Sequence, residues 1–347
     1  MDYKQKLNQI DNRYNPDASK LVEERMFSGE MSSDSDAIKY VKRAMKSVDD
    51  AYTQKTKEAG ETVKEHLKKS LTDVSYQYQG SVMTDTHIKG ASDIDLLVLC
   101  EKFYNSDIEK VRQEMSNTWK YPDYQIYRLH QYDRSFYPYQ GNSFNDLATL
   151  RKQIEIIMKQ TYTICDVNKA KAVKITNQNL HRDVDIVTSA WFQSFEYVLE
   201  GMPKNKLGIK IYNKELGKTE GPDYPFLSIQ RINDKNSESN GRLKRMIRFL
   251  KNLRTDSDKK IPLTSFEINA ICYSIPIQDY YNLDYKGLAY ILWHNMFHLW
   301  YDRKQDSLLS VVGDEYVFKD NTEISAGLIK SKVGLNNNNV AKQWELE

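Results

Sequence analysis

Gly90-Ala91-Ser92-Asp93-Ile94-Asp95-Leu96-Leu97-Val98-Leu99 passes from a polar approach into a run apolar enough to lie inside a sheet. Alternate residues of a strand point to the same side, so Asp93 and Asp95 share a face. Two carboxylates aimed at one point repel unless a cation lies between them. Hard oxygen ligands with no His or Cys nearby select Mg²⁺ or Mn²⁺. Upstream, Val74-Ser75-Tyr76-Gln77-Tyr78 alternates like another strand and stops at Gln79-Gly80-Ser81. A Gly-Ser turn can offer backbone N–H groups and a hydroxyl to a phosphate. A third carboxylate is wanted, and Arg182-Asp183-Val184-Asp185-Ile186-Val187 supplies one from a further strand-like run, with Asp185 and Asp183 both open at this point. A lone Asp-x-Asp is common and usually means two ordinary surface aspartates. The weight here comes from the combination with Gly-Ser and with a later aspartate strand.

The chain of 347 residues is 40% hydrophobic and 28% charged, which is enough to bury sizeable cores. Its formal net charge is +2, so bulk charge does not hold it to nucleic acid. No apolar run of about 18 residues is present, and the polar N-terminal stretch has no signal-peptide character. Cys100, Cys165 and Cys272 are too few and too widely spaced for a disulfide framework or a zinc ribbon, which suits a reducing cytoplasm.

Around the aspartate strands the periodicity predicts an α+β protein. A spine helix is expected from Ser33 or Ser35 to Leu71, with Ile38, Val41, Met45, Val48, Tyr52, Val63, Leu67 and Leu71 on one face and Gly60 weakening its middle. At about 1.5 Å per residue it would approach 50 Å. Helices are expected over 106–115 and 144–160, strands over 172–176, 183–187, near 191–198 and at an edge over 208–212, and a loop over 120–142. Beyond Pro225 the chain reads as helical, over 241–254, 264–274 and 284–301, before an Asn336–Asn339 loop and a short polar helix. The expected organisation is an N-terminal segment and spine (1–71), a mixed-sheet lobe (72–224) and a helical lobe (225–347), with a cleft between the lobes.

On the helix after Gly241, Lys244, Arg248 and Lys251 fall at i, i+4 and i+7 and form a basic stripe beside the apolar one. Such a stripe is usually a solvated face; beside an aspartate triad it can also hold a triphosphate. Other features read as ordinary packing or solvation. His294 and His298 lack the glutamate of a zinc protease motif and sit among Trp293, Phe297 and Trp300. Cys272 lies in an apolar helix. Tyr121, Tyr124, Tyr127, Tyr132, Tyr137 and Tyr139 read as an insertion packed on itself. The lysines from Lys204 to Lys218 read as a solvated surface.

Gln79-Gly80-Ser81, Thr86-x-Ile88-Lys89-Gly90-x-Ser92-Asp93-Ile94-Asp95 and Asp185-Ile186-Val187 resemble the catalytic motifs of the polymerase-beta-like nucleotidyltransferase superfamily. Asn240-Gly241-Arg242-Leu243-Lys244-Arg245-Met246-Ile247-Arg248-Phe249-Leu250-Lys251 and Pro262-x-Thr264-Ser265-Phe266 extend the resemblance into the helical lobe. Within the superfamily the chain is most similar to the bacterial cyclic-oligonucleotide synthases, relatives of cyclic GMP-AMP synthase in anti-phage (CBASS-type) signalling. Thr188 stands where that family often has proline.

The resemblance implies a bilobal polymerase-beta-like fold. It implies two Mg²⁺ ions (or Mn²⁺) on Asp93, Asp95 and Asp185, the family context favouring Asp185 over Asp183. It places the nucleotide on Gln79, Gly80, Ser81, Lys244, Ser265 and Phe266. Lys244 and Ser265, 21 residues on, would grip the donor triphosphate, and Phe266 would stack on a base. NTPs, ATP among them, would be joined with pyrophosphate release into a cyclic di- or trinucleotide that acts on a downstream effector. The enzyme is expected to be a cytoplasmic monomer with no membrane partner and no strong grip on duplex nucleic acid. The rival readings are an RNA terminal nucleotidyltransferase, an antibiotic nucleotidyltransferase, and a nucleotide-binding sensor without catalysis. Terminal Glu347, bulky and charged, is not expected to be conjugated to a partner.

Overall fold

The structure, a computed structural model, describes residues 2–14, 35–90, 93–258 and 260–318. The Asn336–Asn339 loop, the polar helix after it, Ser92 and Glu347 lie outside them. The elements run α1 (Tyr3–Tyr14), α2 (Asp36–Met45), α3 (Asp50–Lys68), β1 (Val74–Gln79), β2 (Ile94–Ser106), α4 (Ile108–Met115), α5 (Asp123–Ser135), α6 (Ser143–Thr161), β3 (Cys165–Asp166), β4 (Ala172–Asn177), β5 (Arg182–Gln193), α7 (Phe195–Leu199), β6 (Gly208–Asn213), β7 (Lys218–Asp223), α8 (Pro225–Glu238), α9 (Arg242–Asp256), α10 (Ser265–Ser274) and α11 (Tyr285–Tyr301). They divide into two compact units: residues 1–48, 84–92 and 231–347, and residues 49–83 and 93–230.

The unit of residues 49–83 and 93–230 is built on a seven-stranded mixed sheet in the order β1-β2-β5-β4-β3, with β6 beside the second half of β5 and β7 outside β6. Only β2 and β5 run parallel; the other pairs are antiparallel. Alternation sorts the two faces. Ile94, Leu96, Val98, Val173, Ile175, Val184 and Ile186 enter one core with Ala59, Val63 and Leu67 of α3 and Leu147, Leu150, Ile154 and Met158 of α6. On the other face Leu97, Leu99, Val187, Trp191 and Ile209 pack with Phe226 of α8. The polar end of that face carries the aspartates.

Among its described residues, the unit of residues 1–48, 84–92 and 231–347 is mainly helical. Its core joins Ile10 of α1, Tyr40, Val41, Ala44 and Met45 of α2, and the apolar faces of α9, α10 and α11. Asp256, at the end of α9, is buried and ties the bundle together. It accepts from the Tyr40 hydroxyl at 2.9 Å and pairs with Arg13, while Lys6 donates to its carbonyl at 2.5 Å. The buried carboxylate is tolerated because the Tyr40 hydroxyl and the Arg13 guanidinium compensate its lost hydration.

Several expectations are corrected. The single spine helix expected from Ser33 or Ser35 to Leu71 is two helices from residue 36 on, and Ser33 lies outside the described residues. Lys46 and Asp49 are extended, with ψ near 143° and 150°, and the Asp49 carboxylate starts α3 by accepting from Tyr52 N–H at 2.7 Å. The apolar stripe runs on through Val48 and hides that cap. Gly60 is a packing residue rather than a weak point: a Cβ there would stand 2.9 Å from the Tyr78 ring, so its absence lets α3 lie close to β1. The 120–142 loop contains α5, whose buried stripe is only Leu129 and Tyr132 and so is hard to see by periodicity. Tyr132 packs in a small cluster with α4 and α7, whereas Tyr124, Tyr127 and Tyr137 are exposed. The strand expected near 191–198 ends at Gln193, and the Ser194 hydroxyl caps a short helix in its place. The 208–212 strand is not the edge, because β7 lies outside it. Gly221 and Pro222 make β7 read as a turn, and an edge strand tolerates both.

Candidate active site

β-Sheet register lays the polar residues out in rows. Gln79 of β1 pairs with Asp95 of β2, Asp95 pairs with Asp185 of β5, and Asp185 pairs with Lys174 of β4. In the next row Asp183 pairs with Thr176. Neighbouring strands lie about 4.8 Å apart, so Asp95 and Asp185 stand side by side. Ile94 and Val184, fully buried in the opposite core, force their flanking aspartates to emerge together on this face. Strand pairing thus sets Asp95 beside Asp185, while Asp93 stands just before β2, two residues from Asp95.

Two lysines stand among these carboxylates. Lys174 Nζ donates to Asp93 Oδ2 at 2.5 Å and pairs with Asp183 Oδ2 at 2.9 Å. Thr176 donates to Asp183 Oδ1 at 2.6 Å, so both oxygens of Asp183 are engaged. Lys169 Nζ lies 3.2 Å from Asp185 Oδ1. Burial pushes the Asp185 carboxyl above its ordinary pKa; Lys169 opposes this and the Asp93 charge adds to it. Burial would raise Asp183 as well, but the bonds from Thr176 and Lys174 outweigh it and hold that carboxyl below the usual range. For Lys174 burial works against the charge, yet Asp93 and Asp183 win and raise its pKa.

This donor set fits a hard divalent cation. It offers carboxylates from two neighbouring strands, no imidazole or thiolate, and one carboxyl whose charge is penalised by burial and would be relieved by a cation. Among the described residues no three His, Cys, Asp or Glu side chains are gathered as a finished metal cage. Lys174 and Lys169 bring positive charge to the row.

Gly80 closes the row on the β1 side. Its φ is +85°, a region that L-residues rarely adopt, and a Cβ there would collide with Asp95 Oδ2. Glycine thus serves twice, by making the turn and by admitting the carboxylate. Gln79 and Ser81 on either side are half-buried.

The remaining candidates belong to the helical unit. Lys244 lies in the first turn of α9, where its N–H donates to Asn236 Oδ1 at 3.0 Å. Its side chain is half-buried. Desolvation lowers the ammonium pKa, Arg248 adds to that, and Asp85 opposes it. The basic stripe does not survive as a stripe. Arg248 is buried and donates to the carbonyls of Met45 (3.0 Å) and Asp85 (2.6 Å), and buried Lys251 reaches Thr86 Oγ1 at 3.3 Å. Periodicity places all three on one side, but only packing shows that two of them serve the core. Ser265 and Phe266 open α10 behind a capping box in which Glu267 N–H donates to Thr264 Oγ1 at 3.2 Å. Phe266 is 46% exposed, which leaves its ring free to stack.

Three residues bonded to these candidates carried no motif. Lys174 alternates with buried Val173 and Ile175, so its face could have been read once β4 and β5 were paired. Lys169 precedes the strand and carries no signal. Arg254 donates to Leu263 O at 2.7 Å and approaches Ser265 Oγ at 3.4 Å, a link that no spacing rule announces. His294 and His298 have ring centroids 4.3 Å apart and belong to no three-residue metal group among the described residues.

Residues 230–334 match the family model described as the cGAS/DncV-like nucleotidyltransferase C-terminal helical domain. A c-di-GMP synthase of Lachnospiraceae bacterium (strain RUG226) is 65% identical over 318 residues, 92% of each chain. A c-di-GMP synthase of Capnocytophaga granulosa is 43% identical over 317 residues, 90% of this chain and 89% of that one. Among solved structures, a STING-associated CdnE c-di-GMP synthase from Flavobacteriaceae sp. superposes with a TM-score of 0.83 at 35% identity, covering 95% of each chain. Sheet, aspartate row and helical unit thus define a nucleotidyltransferase. The chain belongs to the bacterial cGAS/DncV-like nucleotidyltransferases, and it is an enzyme that joins nucleotides into a cyclic product.

Proposed function

We propose that this enzyme converts two GTP into cyclic di-GMP and two pyrophosphates. The observation that carries the chemistry is the cross-strand pair Asp95–Asp185 with Asp93 on the same face. The choice of base follows the three relatives described above, each named for c-di-GMP synthesis, and it replaces the expectation of ATP with GTP.

In each of the two transfers a ribose hydroxyl of one nucleotide attacks the α-phosphorus of another. The new P–O bond forms as the bond to pyrophosphate breaks. Asp185, side by side with Asp95 across the β2–β5 pairing, takes the proton of the attacking hydroxyl. Asp93, Asp95 and Asp185 would hold a Mg²⁺ pair, which would supply charge neutralisation to the reacting phosphates. Lys244 and Ser265 grip the triphosphate, Gln79, Gly80 and Ser81 shape the phosphate side of the row, and Phe266 stacks on a base. Most of the rate gain then comes from positioning and from fixed charge.

The product would act on an effector of the kind linked to the STING-associated relative. The enzyme works as a monomer without duplex nucleic acid. No described helix is long and apolar enough to cross a membrane.

The test is incubation with each NTP alone and with all four, in Mg²⁺, followed by mass analysis of phosphatase-resistant products. Cyclic di-GMP from GTP alone, absent in the Asp93→Asn/Asp95→Asn variant, is the expected result. A requirement for a second nucleotide would overturn the substrate assignment. Full activity in the double variant would overturn the site.

A further inference from the structure

We propose that Lys174 is a resident counter-ion of the aspartate row: it holds Asp93 while no metal is bound and withdraws onto Asp183 when a divalent cation takes Asp93. The inference rests on the reading of Asp93, Asp95 and Asp185 as the metal-holding residues. Metal loading is then an exchange of one cation for another, and Asp183 is the parking place for Lys174 rather than a ligand.

Register and bonding carry the argument together. The backbone of Lys174 lies opposite Asp185, yet its ammonium reaches past that residue to Asp93 at 2.5 Å and Asp183 at 2.9 Å. Asp185 is served by a different cation, Lys169. Asp183 is held from its far side by Thr176 at 2.6 Å, so its carboxylate is fixed before any metal arrives. A fixed carboxylate beside a flexible four-carbon stem is a second seat for the ammonium. Asp93 has one third of its side chain exposed, so it can be approached from solvent. A cation arriving at Asp93 repels the ammonium already there, and Asp183 lies within the same reach. The arrangement also spares the metal-free sheet a cluster of uncompensated carboxylates.

The experiment titrates Mn²⁺ into the full-length protein, reads free Mn²⁺ by electron paramagnetic resonance, and follows the melting temperature with and without Mn²⁺. Lys174→Met removes the competitor, so it should bind Mn²⁺ several-fold more tightly, melt lower than wild type without metal, and gain more on adding it. Lys174→Gln keeps a hydrogen-bond donor without the charge and should behave alike, which guards against a fold that does not bear methionine. Asp183→Asn removes the parking place and should bind Mn²⁺ several-fold more weakly. Adding Asp183→Asn to Lys174→Met should change Mn²⁺ affinity no further. Unchanged or weaker binding in both Lys174 variants would overturn the exchange. A further loss in the Asp183/Lys174 double variant would make Asp183 a ligand and overturn its parking role. Equal Mn²⁺ binding by wild type and Asp93→Asn/Asp95→Asn would instead overturn the metal reading itself, and this inference with it.

Discussion

At Gly80 a φ of +85° and the Asp95 carboxylate leave no room for any side chain. Gly80→Ala should cost about 1–2 kcal/mol for the left-handed backbone and displace Asp95. Pyrophosphate release should fall by orders of magnitude while the melting temperature drops only slightly. Retained turnover would show that Asp95 need not sit where it does. Lys244 is the other residue whose chemistry can be isolated, because alanine is the best helix former and leaves α9 intact. Removing a charge-assisted phosphate contact costs about 1.5–3 kcal/mol, so Lys244→Ala should weaken GTP binding roughly ten- to over a hundred-fold by calorimetry. Desolvation lowers the Lys244 pKa, so its proton leaves at a lower pH than that of a free lysine. GTP affinity should therefore decline toward alkaline pH sooner than an exposed lysine would allow. Lys244→Arg, whose charge persists, should flatten that limb even if it binds less well.

Among the elements, β5 does the most positioning. It pairs with β2 on one side and with β4 and β6 in succession on the other, so it sets Asp185 between Asp95 and Lys174. A register slip of one residue would turn Asp185 into the core and Ile186 out. The start of α10 is set differently, by the Thr264–Glu267 capping box that presents Ser265 and Phe266. Thr264→Ala should lower stability by about 0.5–2 kcal/mol in urea unfolding. It should also raise the KM for GTP, since Ser265 and Phe266 lose their fixed start. A loss of stability with unchanged KM would separate the cap from nucleotide binding.

For the whole molecule, a net charge of +2 gives little attraction for a polyanion. An enzyme that tails RNA needs several phosphate contacts and shows a steep salt dependence. Here short products should form from GTP without a primer, and added RNA should neither be extended nor inhibit at about 0.15 M salt. A ladder of lengthening RNA on a sequencing gel would contradict this.

The sequence by itself determined the alternating strands, the shared face of Asp93 and Asp95, and the helical texture after Pro225. Each of these follows from local periodicity, which a chain carries in its own order of residues. It also marked Lys244 through the i, i+4, i+7 basic stripe, while Ser265 and Phe266 were implied by the resemblance to the nucleotidyltransferases. The break at Lys46–Asp49 was local as well, but an apolar stripe on both sides concealed it. Only the tertiary structure decided what depends on pairing between distant segments. It placed Asp185 opposite Asp95, spent Arg248 and Lys251 on buried bonds, and brought Lys174 across from β4 to Asp93, 81 residues away in sequence. Strand register and burial are properties of contacts, and no stretch of sequence read alone states which other stretch will lie beside it.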